Sequence, residues 1–237
     1  MVVGLAFVAV VVSSLFAQAM LVRFTAAHQP QHRAWAIALG MFALASAALA
    51  TGTSTGWDNG TFRVFYLLGA VLNVPWLAMG TVFLVAAART ARRVLWGLVL
   101  FSGFATGVLL SCPMQTVHGT AIPVGKDVFG ALPRVLAAAG SGVAAVVIIA
   151  GAIVSAIRFA RKPQLPDHGR LAGANALIAL GTLVLSSGGL VQGVVGHDEA
   201  FALTLAVGIG IVYAGFVLAS GRVRGLESRS VVKTHEE

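Results

Sequence analysis

Charge is what this chain has least of: only 10% of its 237 residues are charged, against roughly 25% in soluble domains. Those charges are also absent from the interiors of the long apolar runs. A soluble bundle would need amphipathic helices with charged outer faces, so that architecture is set aside. The lack of buried Asp, Glu, Lys or Arg argues against proton pumps, voltage sensors and ion-coupled carriers, which keep such groups along their paths. There is one cysteine, Cys112, so no intrachain disulfide can form and the redox compartment stays open. Lysine is confined to Lys126, Lys162 and Lys233, all outside the apolar runs, which excludes a retinal Schiff base. No histidine lies well inside two apolar segments, so a transmembrane bis-histidine haem is excluded too.

Other chemistry is missing for similar reasons. Ser141, in Ala139-Gly140-Ser141-Gly142, faintly resembles the nucleophile setting of rhomboid proteases, yet no histidine follows in a later helix to act as its base. Phosphate loops, dinucleotide fingerprints and zinc-protease helices are absent. The chain is therefore expected to be non-enzymatic, and no cofactor is expected.

What is present is apolar: 58% of the residues are hydrophobic. Seven segments, at Val2–Val22, Ala34–Ala50, Val64–Ala88, Val94–Leu110, Val135–Ile157, Leu171–Gln192 and Phe201–Ser220, approach the ~20 residues needed to cross a ~30 Å hydrocarbon core. They predict an all-α polytopic membrane protein, a single seven-helix bundle over residues 1–220 with a short cytoplasmic tail at 221–237. The first segment has no basic residues before it and carries Arg23 after it, unlike a signal peptide, and is expected to be a retained helix.

Basic residues fall unevenly between alternate joints. Arg23, Arg33, Arg89, Arg92, Arg93, Arg158, Arg161, Lys162, Arg170, Arg222, Arg224, Arg229 and Lys233 share one side, and only Arg63, Lys126 and Arg134 the other. The positive-inside rule then places the amino terminus outside and the carboxyl terminus in the cytoplasm. The joint RKPQLPDHGR would lie near anionic headgroups. The longest outer joint, Ser111–Arg134, holds three of the seven prolines and predicts an ordered cap.

The most distinctive stretch is Tyr66–Phe83, YLLGAVLNVPWLAMGTVF. Steps of three and four residues put Tyr66, Gly69, Asn73, Trp76, Gly80 and Phe83 on one helical face. Pro75 lacks an amide hydrogen, so the Val71 carbonyl, four residues earlier, is expected to lose its helical donor. Asn73, that carbonyl and Trp76 make a candidate ligand site, with Tyr66 and Pro75 on the same stretch. Gln18 and Asn175, the other amides inside apolar segments, are candidates as well; interhelical hydrogen bonding is the simpler role for all three. Gly103-x-x-x-Gly107, Gly140-x-x-x-Ala144 and Gly151-x-x-x-Ser155 have the spacing of helix-packing motifs. So does the stripe Asn175, Ala179, Thr182, Ser186, Gly189 and Gly193.

Two sets of soft or imidazole donors are weaker candidates for metal. Cys112, Met114 and His118 lie within seven residues in the outer joint, with His197 and Asp198 in the last one, and suit copper or zinc. His28 and His32 have HxxxH spacing with Pro30 between them.

Seven helices with an outside amino end resemble the 3+1+3 layout of PQ-loop and SWEET-type transporters, which implies two three-helix repeats around a linker helix. The wording LNVPWLAMGT at Leu72–Thr81 is similar to uncharacterised seven-helix membrane proteins of high-GC Gram-positive bacteria. The preference for arginine over lysine has the same flavour. The expected role is a binding, sensing or accessory subunit of the bacterial cytoplasmic membrane, with a carrier for a small uncharged solute or lipid as the alternative. Its expected partners are the lipid bilayer, a small uncharged or amphipathic ligand and another membrane protein, with no nucleic acid.

Overall fold

The computed structural model describes residues 1–160, 168–195 and 198–220. The body of the basic joint from Arg161, His197 and the tail from Gly221 to Glu237 lie outside the described residues, as do the side chains of Asn175, Ser186, Gly189 and Gly193. The described residues are about 88% helical. Among the described residues the only strand-like pairing is an isolated bridge between Met114 and Phe129.

In order, the helices are α1 (Val2–Ala27), α2 (Pro30–Thr55), α3 (Asn59–Phe65), a π-helical stretch (Tyr66–Leu72), α4 (Asn73–Val85), α5 (Ala88–Ser111), α6 (Gly125–Val128), α7 (Ala131–Ala160), α8 (His168–Val195) and α9 (Asp198–Ser220). The run Asn59–Val85 is one continuous 27-residue span. Among the described residues six helices are long and apolar enough to cross a membrane, and α8 carries a shorter apolar core at Ala176–Leu185. The helices outrun the apolar segments that mark them, as α5 does by starting at Ala88 and taking in Arg89, Arg92 and Arg93. Pro30 starts α2 at a position where its missing N–H costs nothing. His28, in a left-handed conformation, returns its N–H to the Phe24 carbonyl and stops α1. His32 therefore lies in the first turn of α2, with His28 in the joint before it.

Helices touch where small residues stand. A side chain at Gly181 would lie 2.8 Å from the Gly208 carbonyl, and one at Gly215 would lie 2.8 Å from that of Ala174, so α8 and α9 meet backbone to backbone. Gly140 on α7 faces Phe101 and Gly151 faces Thr81, as two of the packing motifs predict. The third differs: nothing lies within 4 Å of Gly103 or Gly107, which point away from the bundle. On α4, Gly80 makes room for the Trp35 indole of α2, whose Nε1 donates to the Leu77 carbonyl at 3.2 Å.

The joint Ser111–Arg134 is the ordered cap expected of it. Trp57 N–H donates to Gly119 O at 2.8 Å, Val117 N–H to Asn59 Oδ1 at 3.1 Å, and Ile122 N–H to Asp198 Oδ2 at 2.8 Å. Arg63 reaches across to the carbonyls of Leu109 and Cys112, satisfying acceptors that α5 leaves open at its carboxyl end. Beneath this mesh Trp57, Phe62, Val117, Ile122, Phe129 and Phe201 form a buried cluster. Asp58 caps α3 by accepting from the backbone of Gly60 and Thr61 and from the Thr61 hydroxyl.

Two outcomes are expected. Gly80→Ala should overlap the Trp35 indole and cost about 1–3 kcal/mol. Gly40→Ala, where nothing lies within 4 Å, should be neutral or stabilising by up to about 1 kcal/mol; thermal denaturation in detergent measures both. The Thr61 hydroxyl and amide hold the Asp58 carboxyl below its ordinary pKa. A depressed folded-state value means the cap's stabilisation is complete above the ordinary carboxylate range and is lost as pH falls through the lowered value. Acid titration of tryptophan fluorescence should show that loss, and Asp58→Asn, which still caps, should flatten it.

Candidate functional site

The site begins with a backbone irregularity. From Tyr66 to Leu72 the helix is wound in π register, so that Asn73 N–H donates to Leu68 O, five residues back. In that register position 75 would donate to Ala70, and Pro75 has nothing to give. The Ala70 and Val71 carbonyls both lie where the π stretch gives way to α4, opposite a Pro75 that has no N–H to offer. Ser141 on α7 supplies the missing donor, its Oγ bonding Ala70 O at 2.7 Å. Gly140, next to it, lets α7 come close: a side chain there would lie 3.5 Å from the Val71 carbonyl. Ser141, whose neighbours suggested a nucleophile, is occupied in completing a neighbouring helix.

The single face drawn from Tyr66 to Phe83 is divided among several neighbours. Tyr66 joins the cap, its ring 4.9 Å from Phe129 and against Gly125. Gly69 approaches Ala45 of α2 at 3.2 Å, as a side chain would find, and Gly80 takes Trp35. Trp76 turns to α5, where Nε1 donates to Ser102 Oγ at 3.2 Å and that hydroxyl in turn donates to Leu98 O at 2.7 Å. Asn73 and Pro75 stay buried in the middle. Asn73 is 9% exposed, and its side-chain amide makes no hydrogen bond to any described residue.

Gln18 does not join them. It is exposed on the outside of α1, away from the buried stripe of Ala6, Ala9, Ser13, Phe16 and Met20. The Asn175 side chain lies outside the described residues. In the cap, the Cys112 thiol faces back to Leu109 O at 3.5 Å and His118 is exposed. Met114 lines an open crevice of about 370 Å³ with Gln115, Lys126, Asp127 and Phe129. Among the described residues no three His, Cys, Asp or Glu side chains are grouped to hold a metal ion.

No family model, curated protein or solved structure matches this chain. Its chemistry must be read from the site alone. What the arrangement offers is a neutral donor and acceptor, Asn73, next in the chain to Val71 and Leu72, which pack with Leu68, Trp76 and Leu136. Such a place can hydrogen-bond one polar group of an otherwise apolar molecule. Sequence reasoning missed Ser141, Ser102 and Trp35 as partners of the central helix because they lie between 26 and 71 residues away in the chain. The only local hint of the π stretch was Gly69 followed by Pro75.

Ser141→Ala should leave the Ala70 carbonyl unpaired and cost about 1–3 kcal/mol. Ser141→Thr, which keeps the hydroxyl, should recover part of it. Thermal unfolding of the three proteins compares them.

Proposed function

We propose that this protein is a non-enzymatic binding, sensing or accessory subunit of a bacterial cytoplasmic membrane, whose bundle interior holds a small uncharged or amphipathic ligand through Asn73. The multi-pass character rests on six apolar helices, and the 28-residue α8 is the seventh crossing of this reading. The arginine asymmetry between joints favours an outside amino terminus and a cytoplasmic carboxyl terminus. The bacterial source rests on the arginine-rich composition and the resemblance at Leu72–Thr81.

One observation carries the ligand reading. The Asn73 side chain is largely buried and makes no hydrogen bond to any described residue, while its amide atoms keep some accessible surface through which a ligand could reach them. Ser141, Trp76 and Trp35 all find protein acceptors nearby, whereas Asn73 does not. A carrier for a small uncharged solute is the second reading, favoured by the interruption of a spanning helix at Tyr66–Pro75, since broken helices line transporter sites.

Asn73→Leu should insert normally and, without ligand, gain stability of about 1 kcal/mol or more. It should also abolish the melting shift produced by whichever neutral lipid or uncharged solute stabilises the native protein in a thermal screen. A loss of stability in Asn73→Leu would show that the amide serves packing, and the ligand reading would fall. Uptake of the same solute by proteoliposomes would favour the carrier.

A further inference from the structure

Gln18 is an amide in the apolar part of α1, and it faces out of the bundle. It is also not alone. Phe7, Val11, Ser14, Gln18, Leu21 and Thr25 recur at steps of four and three residues, and every one of them is exposed. That period of 3.5 is the seam of a left-handed helix pair. The seam is about 27 Å long at ~1.5 Å per residue, close to the hydrocarbon thickness. Neither Ser14 nor Gln18 makes a hydrogen bond to any described residue. An amide left facing hydrocarbon is costly, and only another protein surface relieves it within the bilayer.

From this we infer that the outer face of α1 is a docking surface for a second copy of this chain, with Gln18 paired to Gln18 across a twofold axis. The inference rests on the membrane-spanning reading above. Two copies inserted with the same topology lie parallel, so each seam residue meets its own counterpart. Glutamine suits that constraint because its amide both donates and accepts, and the Ser14 hydroxyl does too. The seam contains no charge that would meet its like. Arg23 is turned to the other side of α1, its guanidinium 4.6 Å from the Phe216 ring centre. The rival face fails on this point. Gly103 and Gly107 of α5 are open, but Arg89 and Arg93 are exposed on the same side at helical spacing, so a twofold pair there would bring arginines together.

The test uses the full chain with Cys112→Ser, in lipid vesicles, with one cysteine added at a time. Val11→Cys, on the seam, should cross-link to a dimer with a short thiol reagent, and Leu100→Cys, on the open face of α5, should not. In the Val11→Cys protein, Gln18→Leu should weaken association about tenfold, the scale of an interhelical hydrogen bond in membranes. Gln18→Asn should retain most of it. The inference is overturned if Leu100→Cys cross-links in preference to Val11→Cys, if Val11→Cys stays monomeric, or if Gln18→Leu cross-links as well as its parent. Retention of the protein in carbonate-washed membranes checks the membrane reading separately.

Discussion

Backbone hydrogen bonding without water is the constraint on which this structure depends. In a hydrocarbon environment each carbonyl needs a donor from protein, and a spanning helix normally supplies its own. Here the third span does not, because Pro75 removes one donor just after a stretch wound in π register. The bond from Ser141 to Ala70 restores the balance, and with Gly140 it also fixes how α7 lies against that span. One irregularity thus determines a helix contact.

The cap solves the complementary problem at the end of the bundle where the Ser111–Arg134 joint lies. Helix termini leave carbonyls and amides unpaired, and a loop brings its own. Arg63 and Asn59, with Asp58 capping α3 and Asp198 reaching Ile122, turn these loose ends into cross-ties between the loop and the helices. The aromatic cluster below gives those ties a dry floor. Arg63, one of three basic residues in the joints at this end of the bundle, is spent on this work.

Polar side chains within the spans then sort into three kinds. Ser13, Thr106 and Thr182 return their hydroxyls to their own helix, four residues back. Trp35, Trp76 and Ser141 cross to another helix. Asn73, buried, and Gln18, exposed, do neither, and the two proposals rest on them. Their different surroundings suit different occupants: an enclosed amide fits a small molecule, and an amide on an outer seam fits a helix.

Much of the architecture was legible in the chain itself. Apolar runs long enough to span, the proline-rich outer joint and the odd chemistry around Asn73-Pro75 are local patterns, and local patterns are what hydrophobic length and missing amide hydrogens impose. Helix ends were less legible, since the stop at His28, the start at Pro30 and the cap at Asp58 are set by local backbone geometry and not by where the apolar runs end. Which polar groups meet was not legible at all. Gln18, Asn73 and Asn175 look alike as amides in apolar runs, yet Gln18 faces out and Asn73 faces in. Gly103-x-x-x-Gly107 reads like Gly140-x-x-x-Ala144, yet only the latter is filled. That Ser141 donates to the Ala70 carbonyl likewise could not be read from the chain. Composition and spacing determine that a segment is a membrane helix with a given set of faces. Only the packing of helices far apart in sequence decides which face meets protein, because in lipid both faces are apolar and periodicity carries no sign of inside or outside.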